Sequence, residues 1–316
     1  MLGEVSRIAA DGTPRVLMVV QEFLHNQGDA WSWTQNMLER AIQDTALPME
    51  GAESAQKADA FQEFAQFSGV LGKRIGEMHT VLAQPSDDPA FAPQRATNAD
   101  CANWAEATRA RIDEALQLLG KQQQWPSEED RLLAQELIKQ RKSLHRIASK
   151  LAKAGLGSLL IRTHGDLHLG QILVSKEDAY IIDFEGEPAR PLEERRAKNS
   201  PFRDVAGMLR SFEYAASMTT RAVAGRSEES IQRMHAVIER FRTASREAFL
   251  AQYGGAAAVA YDGNGDKAAE ALIDLFTLEK AAYEVAYEIA NRPPWLIVPL
   301  RGLAEITQRL TKTEEA

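Results

Sequence analysis

A single cysteine, Cys101, in 316 residues rules out an intrachain disulfide framework and fits a reducing compartment. Positive charge is also in deficit. The formal net charge of −8 argues against the basic groove of a nucleic-acid binder and the polybasic face of a membrane anchor, so neither partner is expected. It does not exclude a nucleotide, because local cations or a metal ion can hold phosphate in an acidic protein. No apolar run approaches the length of a membrane-spanning helix. The opening MLGEVSRIAADG has neither the basic start nor the continuous apolar centre of a secretory signal, and a cytoplasmic protein is expected. There is no internal repeat and no low-complexity tract. What is present, with 44% hydrophobic residues, is enough apolar material to bury a large core as one domain or two.

Periodicity divides the chain mostly into helices. The turn signal AADGT followed by PRVLMVVQEFL predicts one buried strand near the start. Asp29 then caps a helix whose apolar stripe is Trp33, Met37, Leu38 and Ile42, and a second helix presents Phe64, Phe67, Leu71, Ile75 and Met78 on one face. The Pro- and Asp-rich stretch from Gln84 to Gln94 reads as a loop. Ser127 with Asp130 resembles a capping box, opening one long helix to about Ala154. Strand character returns in GSLLIRT, ILVS and AYIID, the last two joined by a KED turn. From Pro201 the pattern is helical to the C-terminus, with DGNGD as a turn between two of the last helices. The expected class is therefore α+β, mostly α-helical, with a small β island.

That island is where polar groups collect, in THGDLHLGQILVSKEDAYIIDFEGE (residues 163–187). Phosphoryl transfer needs a carboxylate to orient an attacking hydroxyl and take its proton, and oxygen ligands for the magnesium ions that neutralise a triphosphate. Asp166 suits the first task, and the Gln171 amide with the Asp183 carboxylate suits the second. A hairpin between Gln171 and Asp183 brings the two side by side. His164 is expected to hold the loop by hydrogen bonding, and His168 faces either the acceptor or solvent. Taken singly, these residues could instead be turn and capping groups. A zinc site from His164, Asp166 and His168 lacks a fourth ligand and a helical H-E-x-x-H pattern. A glycosidase pair of Asp166 with Asp183 or Glu185 leaves Gln171 without a task.

These segments, HGDLHLGQ, DFEGEPARPLEERR and KNSPFRDVAGMLRSFEYAA, together with LEKAAYEVAYEIANRPPWLIVPLRGL, closely resemble bacterial maltokinases. That family belongs to the aminoglycoside-phosphotransferase-like branch of the protein-kinase-like fold. The resemblance spans most of residues 16 to 303 and implies ATP-dependent phosphorylation of maltose to maltose 1-phosphate, with ATP and Mg2+ as cofactors. By the family pattern Asp166 is the base, Gln171 and Asp183 bind magnesium, and Glu185 assists at the metal or the sugar. Asp204 resembles the helix aspartate that braces the catalytic-loop backbone. Gln21, Glu22 and Phe23 fall where the fold places its hinge, against adenine. Tyr287, Arg292 and Trp295 become acceptor-site candidates, while Trp31 and Trp33 are expected to pack beneath the hinge.

The sequence departs from the family at its start. No glycine-rich loop and no strand lysine precede the hinge-like strand, so residues 1–28 are expected to be a remnant of the N-lobe sheet and hinge, and residues 29–316 a helical C-lobe carrying the catalytic loop and acceptor site. Losing a phosphate clamp removes several kcal/mol of transition-state stabilisation, so weak or no activity is expected of this chain alone. A missing N-lobe or a fused trehalose synthase domain is the partner this implies. The rival readings are another sugar or aminoglycoside phosphotransferase, and a non-catalytic maltose-binding remnant.

Overall fold

The computed structural model describes residues 2–12, 14–44, 53–188, 190–219, 227–261 and 265–315. Three two-stranded sheets accompany a helical body among these residues. The first sheet already differs from expectation. Instead of one buried strand, β1 (Gly3–Ile8) and β2 (Pro14–Val20) form an antiparallel ribbon, with a register shift between Val5 and Ser6. Every residue of β2 is exposed, Leu17 to 67%, and Leu2, Val5 and Ile8 are exposed with it. Side chains alternate between the faces of a strand, so an exposed run of this kind means that neither face is covered. The apolar pattern of a strand records that something should cover it, and nothing in the described residues does. Such a ribbon is marginal by itself and prone to pairing. Lysine at both Leu17 and Val19 is expected to lower self-association of the chain, read as a fall in weight-average mass by sedimentation.

Helix α1 (Ala30–Asp44) begins as expected, with Asp29 Oδ1 accepting the Ser32 N–H at 2.8 Å. Its stripe of Met37, Leu38 and Ile42 is buried, and the Trp33 ring packs on Phe67 with centroids 4.2 Å apart. Helix α2 (Glu53–Leu82) buries Phe64, Leu71 and Ile75. It lies so close to α8 (Glu228–Ala256) that a Cβ at Gly72 would stand 2.2 Å from the Phe249 carbonyl oxygen. Gly72→Ala must separate the two helices, at an expected cost of about 1–3 kcal/mol, measurable as a lower urea midpoint at unchanged slope.

The loop expected from Gln84 to Gln94 ends in a short strand, β3 (Gln94–Arg95), paired with β4 (Leu159–Leu160), which is all that remains of the strand expected in GSLLIRT. Between them run α3 (Asn98–Lys121), α4 (Glu128–Lys139) and α5 (Arg141–Lys153). Ser127 caps α4 by accepting the Asp130 N–H at 3.1 Å, but the single long helix expected here is two, broken at Gln140. The break lets α4 pack toward the C-terminal helix α10 (Ile297–Glu315) while α5 packs on α3. The hairpin β5 (Ile172–Ser175) and β6 (Asp178–Ile181) follows, then α6 (Leu192–Arg196), α7 (Phe202–Thr219), α8, α9 (Gly265–Asn291) and α10. The DGNGD turn falls largely outside the described residues. Helix α9 is the hub, packing against α3, α5, α7 and α10. Among the described residues no helix is long and apolar enough to cross a membrane.

Candidate active site

The hairpin does to its flanks what the spacing of the residues requires. With Ile172 opposite Ile181, the residues just outside the ladder face one another, and Gln171 Nε2 donates to Asp183 Oδ2 at 3.2 Å. Asp183 is exposed and holds φ at 63°, a left-handed conformation that a residue with a Cβ adopts at a cost. His164 ties the two sides together. Its Nε2 donates to the Ile182 carbonyl at 2.8 Å, and its Nδ1 accepts the Asp166 N–H at 3.3 Å.

The loop is held from below by a buried chain of hydrogen bonds. The Asp204 carboxylate, on the first turn of α7, accepts the His164 N–H at 2.8 Å and the Gly165 N–H at 2.9 Å. His79 Nε2 on α2 donates to the same carboxylate at 3.1 Å, and its Nδ1 accepts the hydroxyl of Tyr253 on α8 at 2.9 Å. Burial by itself would raise the Asp204 carboxyl, but the His79 hydrogen bond and neighbouring donors outweigh it and hold the group below the usual carboxylate range. Ser211 Oγ on α7 adds a further anchor by accepting the Leu169 N–H at 3.1 Å.

Asp166 stands on the wall of a cavity of about 560 Å³, a size suited to a small polar ligand. Lys280 on α9 reaches its Oδ1 at 3.4 Å. Aromatic faces close the far side: Trp31, Tyr214, Tyr283, Tyr287 and Trp295 all line this cavity, with Arg292 over the rings of Trp295 and Tyr287 at 4.6 and 5.3 Å. The charges between them are paired. Glu288 takes two bonds from Arg292, at 3.0 and 2.5 Å, and one from the Tyr214 hydroxyl at 2.5 Å. Burial and that carboxylate together push the Tyr214 hydroxyl above its ordinary range. Arg210 holds Glu284 at 2.6 Å, and Arg203 and Arg190 converge on Glu279 beneath. His168 also faces the cavity, and burial pushes its imidazole below the ordinary value. A larger cleft of about 1030 Å³, between α1, α2, α8 and the β5–β6 turn, holds none of the candidate residues.

The structure thus brings Asp166, Tyr287, Arg292 and Trp295 to one cavity, and Gln171 and Asp183 to one edge of the neighbouring hairpin. Glu185 is not among them. It is exposed, its carbonyl accepting from Arg195, and Glu187 takes the place in the cavity wall. Gln21, Glu22 and Phe23 lie exposed beyond β2, just before the stretch that runs beside β5, where Gln27 N–H donates to Val174 at 2.7 Å. Trp31, expected as a packing residue, packs on the core and also lines the cavity. Among the groups that escaped the sequence reading are His79, Tyr253, Ser211, Tyr214, Glu187, Lys280 and Glu288. For the last two a signal existed, since charged residues recur at helical spacing within the otherwise apolar α9.

No family model matches the sequence. A glucosamine kinase of Streptacidiphilus jiangxiensis is 27% identical over 301 residues, covering 95% of this chain and 59% of that protein. A glucosamine kinase of Mycolicibacterium smegmatis (strain ATCC 700084 / mc(2)155) is 24% identical over 312 residues, covering 98% of this chain and 68% of that one. The chain therefore spans about three fifths to two thirds of these relatives. Among solved structures, a glucosamine kinase in complex with glucosamine, ADP and inorganic phosphate superimposes with a TM-score of 0.70 at 24% identity, over 92% of this chain and 63% of that one. A second crystal form of glucosamine kinase gives a TM-score of 0.73, also at 24% identity, over 95% of this chain and 64% of that one. These relatives do not support the narrower expectation of a maltokinase. The mostly helical fold of this chain is the one shared by the solved glucosamine kinase structures.

Proposed function

We propose that this chain is the acceptor-binding and base-bearing part of a sugar phosphotransferase of the protein-kinase-like fold, moving the γ-phosphoryl group of ATP to a hydroxyl of glucosamine. The observation that carries this reading is the Asp166 carboxylate on the wall of an aromatic, hydrogen-bonding cavity, beside the hairpin edge where the Gln171 amide meets the Asp183 carboxylate. Asp166 orients the acceptor hydroxyl and takes its proton; the aromatic faces and paired charges hold the sugar. The relatives favour glucosamine over the maltose implied by the motifs. Residues 29–316 carry this machinery in the proposal, while residues 1–28 contribute a strand pair and the segment Gln21–Phe23 toward adenine.

Magnesium fits the donor set. No cluster of three or more His, Cys, Asp or Glu side chains suited to a metal occurs among the described residues, so an ion held by protein alone is not indicated. Mg2+ instead takes one or two protein oxygens and completes its shell with water and phosphate, which the exposed Asp183 carboxylate and the Gln171 amide oxygen can serve. When bound it would neutralise charge on the transferring phosphate.

The test is phosphate transfer from ATP to glucosamine, glucose, maltose and an aminoglycoside. Glucosamine is expected to be the best acceptor, at a low rate, because residues 1–28 contain no lysine to clamp phosphate. A tenfold preference for maltose would return the assignment to the maltokinases.

A further inference from the structure

His168 is more than a loop residue beside the base. It caps the short 3-10 turn Leu169–Gln171 from its own side chain, with Nδ1 accepting the Gly170 N–H at 3.0 Å. A ring nitrogen that accepts a hydrogen bond carries no proton, so the imidazole is neutral and its hydrogen is on Nε2. The ring lies against Gly170 so closely that a Cβ there would stand 2.8 Å from its Cε1. Among the described residues no protein acceptor meets Nε2, and the ring lines the same cavity as Asp166, Lys280 and Trp295.

The wall therefore offers two fixed groups of opposite character. Asp166, as a carboxylate, only accepts; His168 Nε2–H only donates, and carries no charge. Lys280, the other donor at this spot, is already engaged with Asp166. A ligand matching the pair has one hydroxyl that donates to Asp166 and a neighbouring oxygen that accepts from His168, which is the pattern of a vicinal diol. We infer that His168 is a specificity-determining residue, whose Nε2–H donates to a second oxygen of a polyhydroxylated acceptor, next to the hydroxyl facing Asp166. This rests on reading the cavity as an acceptor site, and is independent of whether phosphate is transferred. A site built around such a donor rejects analogues that leave it unpaired.

His168→Asn isolates the donor. Asn is a favourable capping residue, and its Oδ1 can replace Nδ1 as acceptor for the Gly170 N–H, so the turn is kept, while its amide nitrogen stands at the ring Cδ2 and leaves the Nε2 position empty. The full chain labelled with 15N-histidine contains six such residues, and the signal lost in this variant identifies His168. Its Nδ1 is expected to show the shift of an unprotonated nitrogen and its Nε2 that of a protonated one, with Nε2–H moving when glucosamine, glucose or maltose is added. By calorimetry the variant should bind the preferred sugar about ten- to a hundredfold more weakly, the loss of one or two hydrogen bonds' worth of affinity, with nucleotide binding unchanged. A proton on Nδ1, unaltered sugar affinity in the variant, or no response of the His168 signal to any of the three sugars would each overturn the inference. Sugar binding that depends on His168 without any transfer from ATP would sink the kinase reading and leave this one standing; transfer with an indifferent variant would do the reverse.

Discussion

Asp204→Ala is expected to cost about 3–5 kcal/mol of folding stability, a large part of what a domain of this size possesses. The carboxylate is fully buried and receives three hydrogen bonds, from the backbone of His164 and Gly165 and from His79. Removing it leaves those donors buried without an acceptor, each carrying its own desolvation penalty. The pH dependence follows from the direction of the shift. Because the folded state holds this carboxyl below its unfolded value of about 3.9, its contribution is complete above that value and is lost as the pH falls through the folded value. Urea titrations at neutral pH and near pH 3 should therefore show the gap between the native chain and the alanine variant narrowing on acidification. Asp204→Asn should fall between them, since one amide oxygen accepts where two did. A neutral-pH loss below about 1 kcal/mol would show that the loop is held by something else.

Asp166→Ala should leave folding almost untouched and reduce phosphate transfer by about two to four orders of magnitude. The structural cost is small because the side chain is on the cavity wall, with Lys280 as its side-chain partner at 3.4 Å. The catalytic cost is large because no other carboxylate in the loop occupies that position. Glu187 is nearest in role, but Arg190 engages it at 2.8 Å; burial would raise its carboxyl, and the Arg190 hydrogen bond together with neighbouring donors brings it below the ordinary range. Sugar affinity should change by less than tenfold, as the aromatic and arginine contacts remain. If the alanine variant turned over ATP and glucosamine at the native rate, the base would have to be sought elsewhere.

Local pairs were legible in the sequence, and long-range ones were not. The Gln171–Asp183 pair could be read because both residues flank a hairpin, where the ladder fixes which side chains meet. His79 and Tyr253 could not, since the contact between them spans 174 residues and α2 and α8 each look like ordinary amphipathic helices. The β-branched apolar run of β2 was read correctly as strand and wrongly as buried, because a strand pattern records a side chain's preference and not what covers it. The break at Gln140 carries no Gly or Pro signal; it follows from two helices seeking different neighbours. The acceptor was not legible for a related reason. In the proposed reading the motif residues handle phosphate, whereas the cavity wall also draws on α1, α7 and α9, three segments whose meeting no spacing rule foretells.

The anchors of the loop share an origin. Asp204, Ser211, His79 and the Ile182 carbonyl all belong to the helical floor or the hairpin, and none to the β1–β2 ribbon. The loop is thus held from underneath, by the helices and the hairpin. Under the proposed function, a polypeptide covering the nucleotide would find the Asp166 loop already placed and would need to contribute only grip on the phosphates.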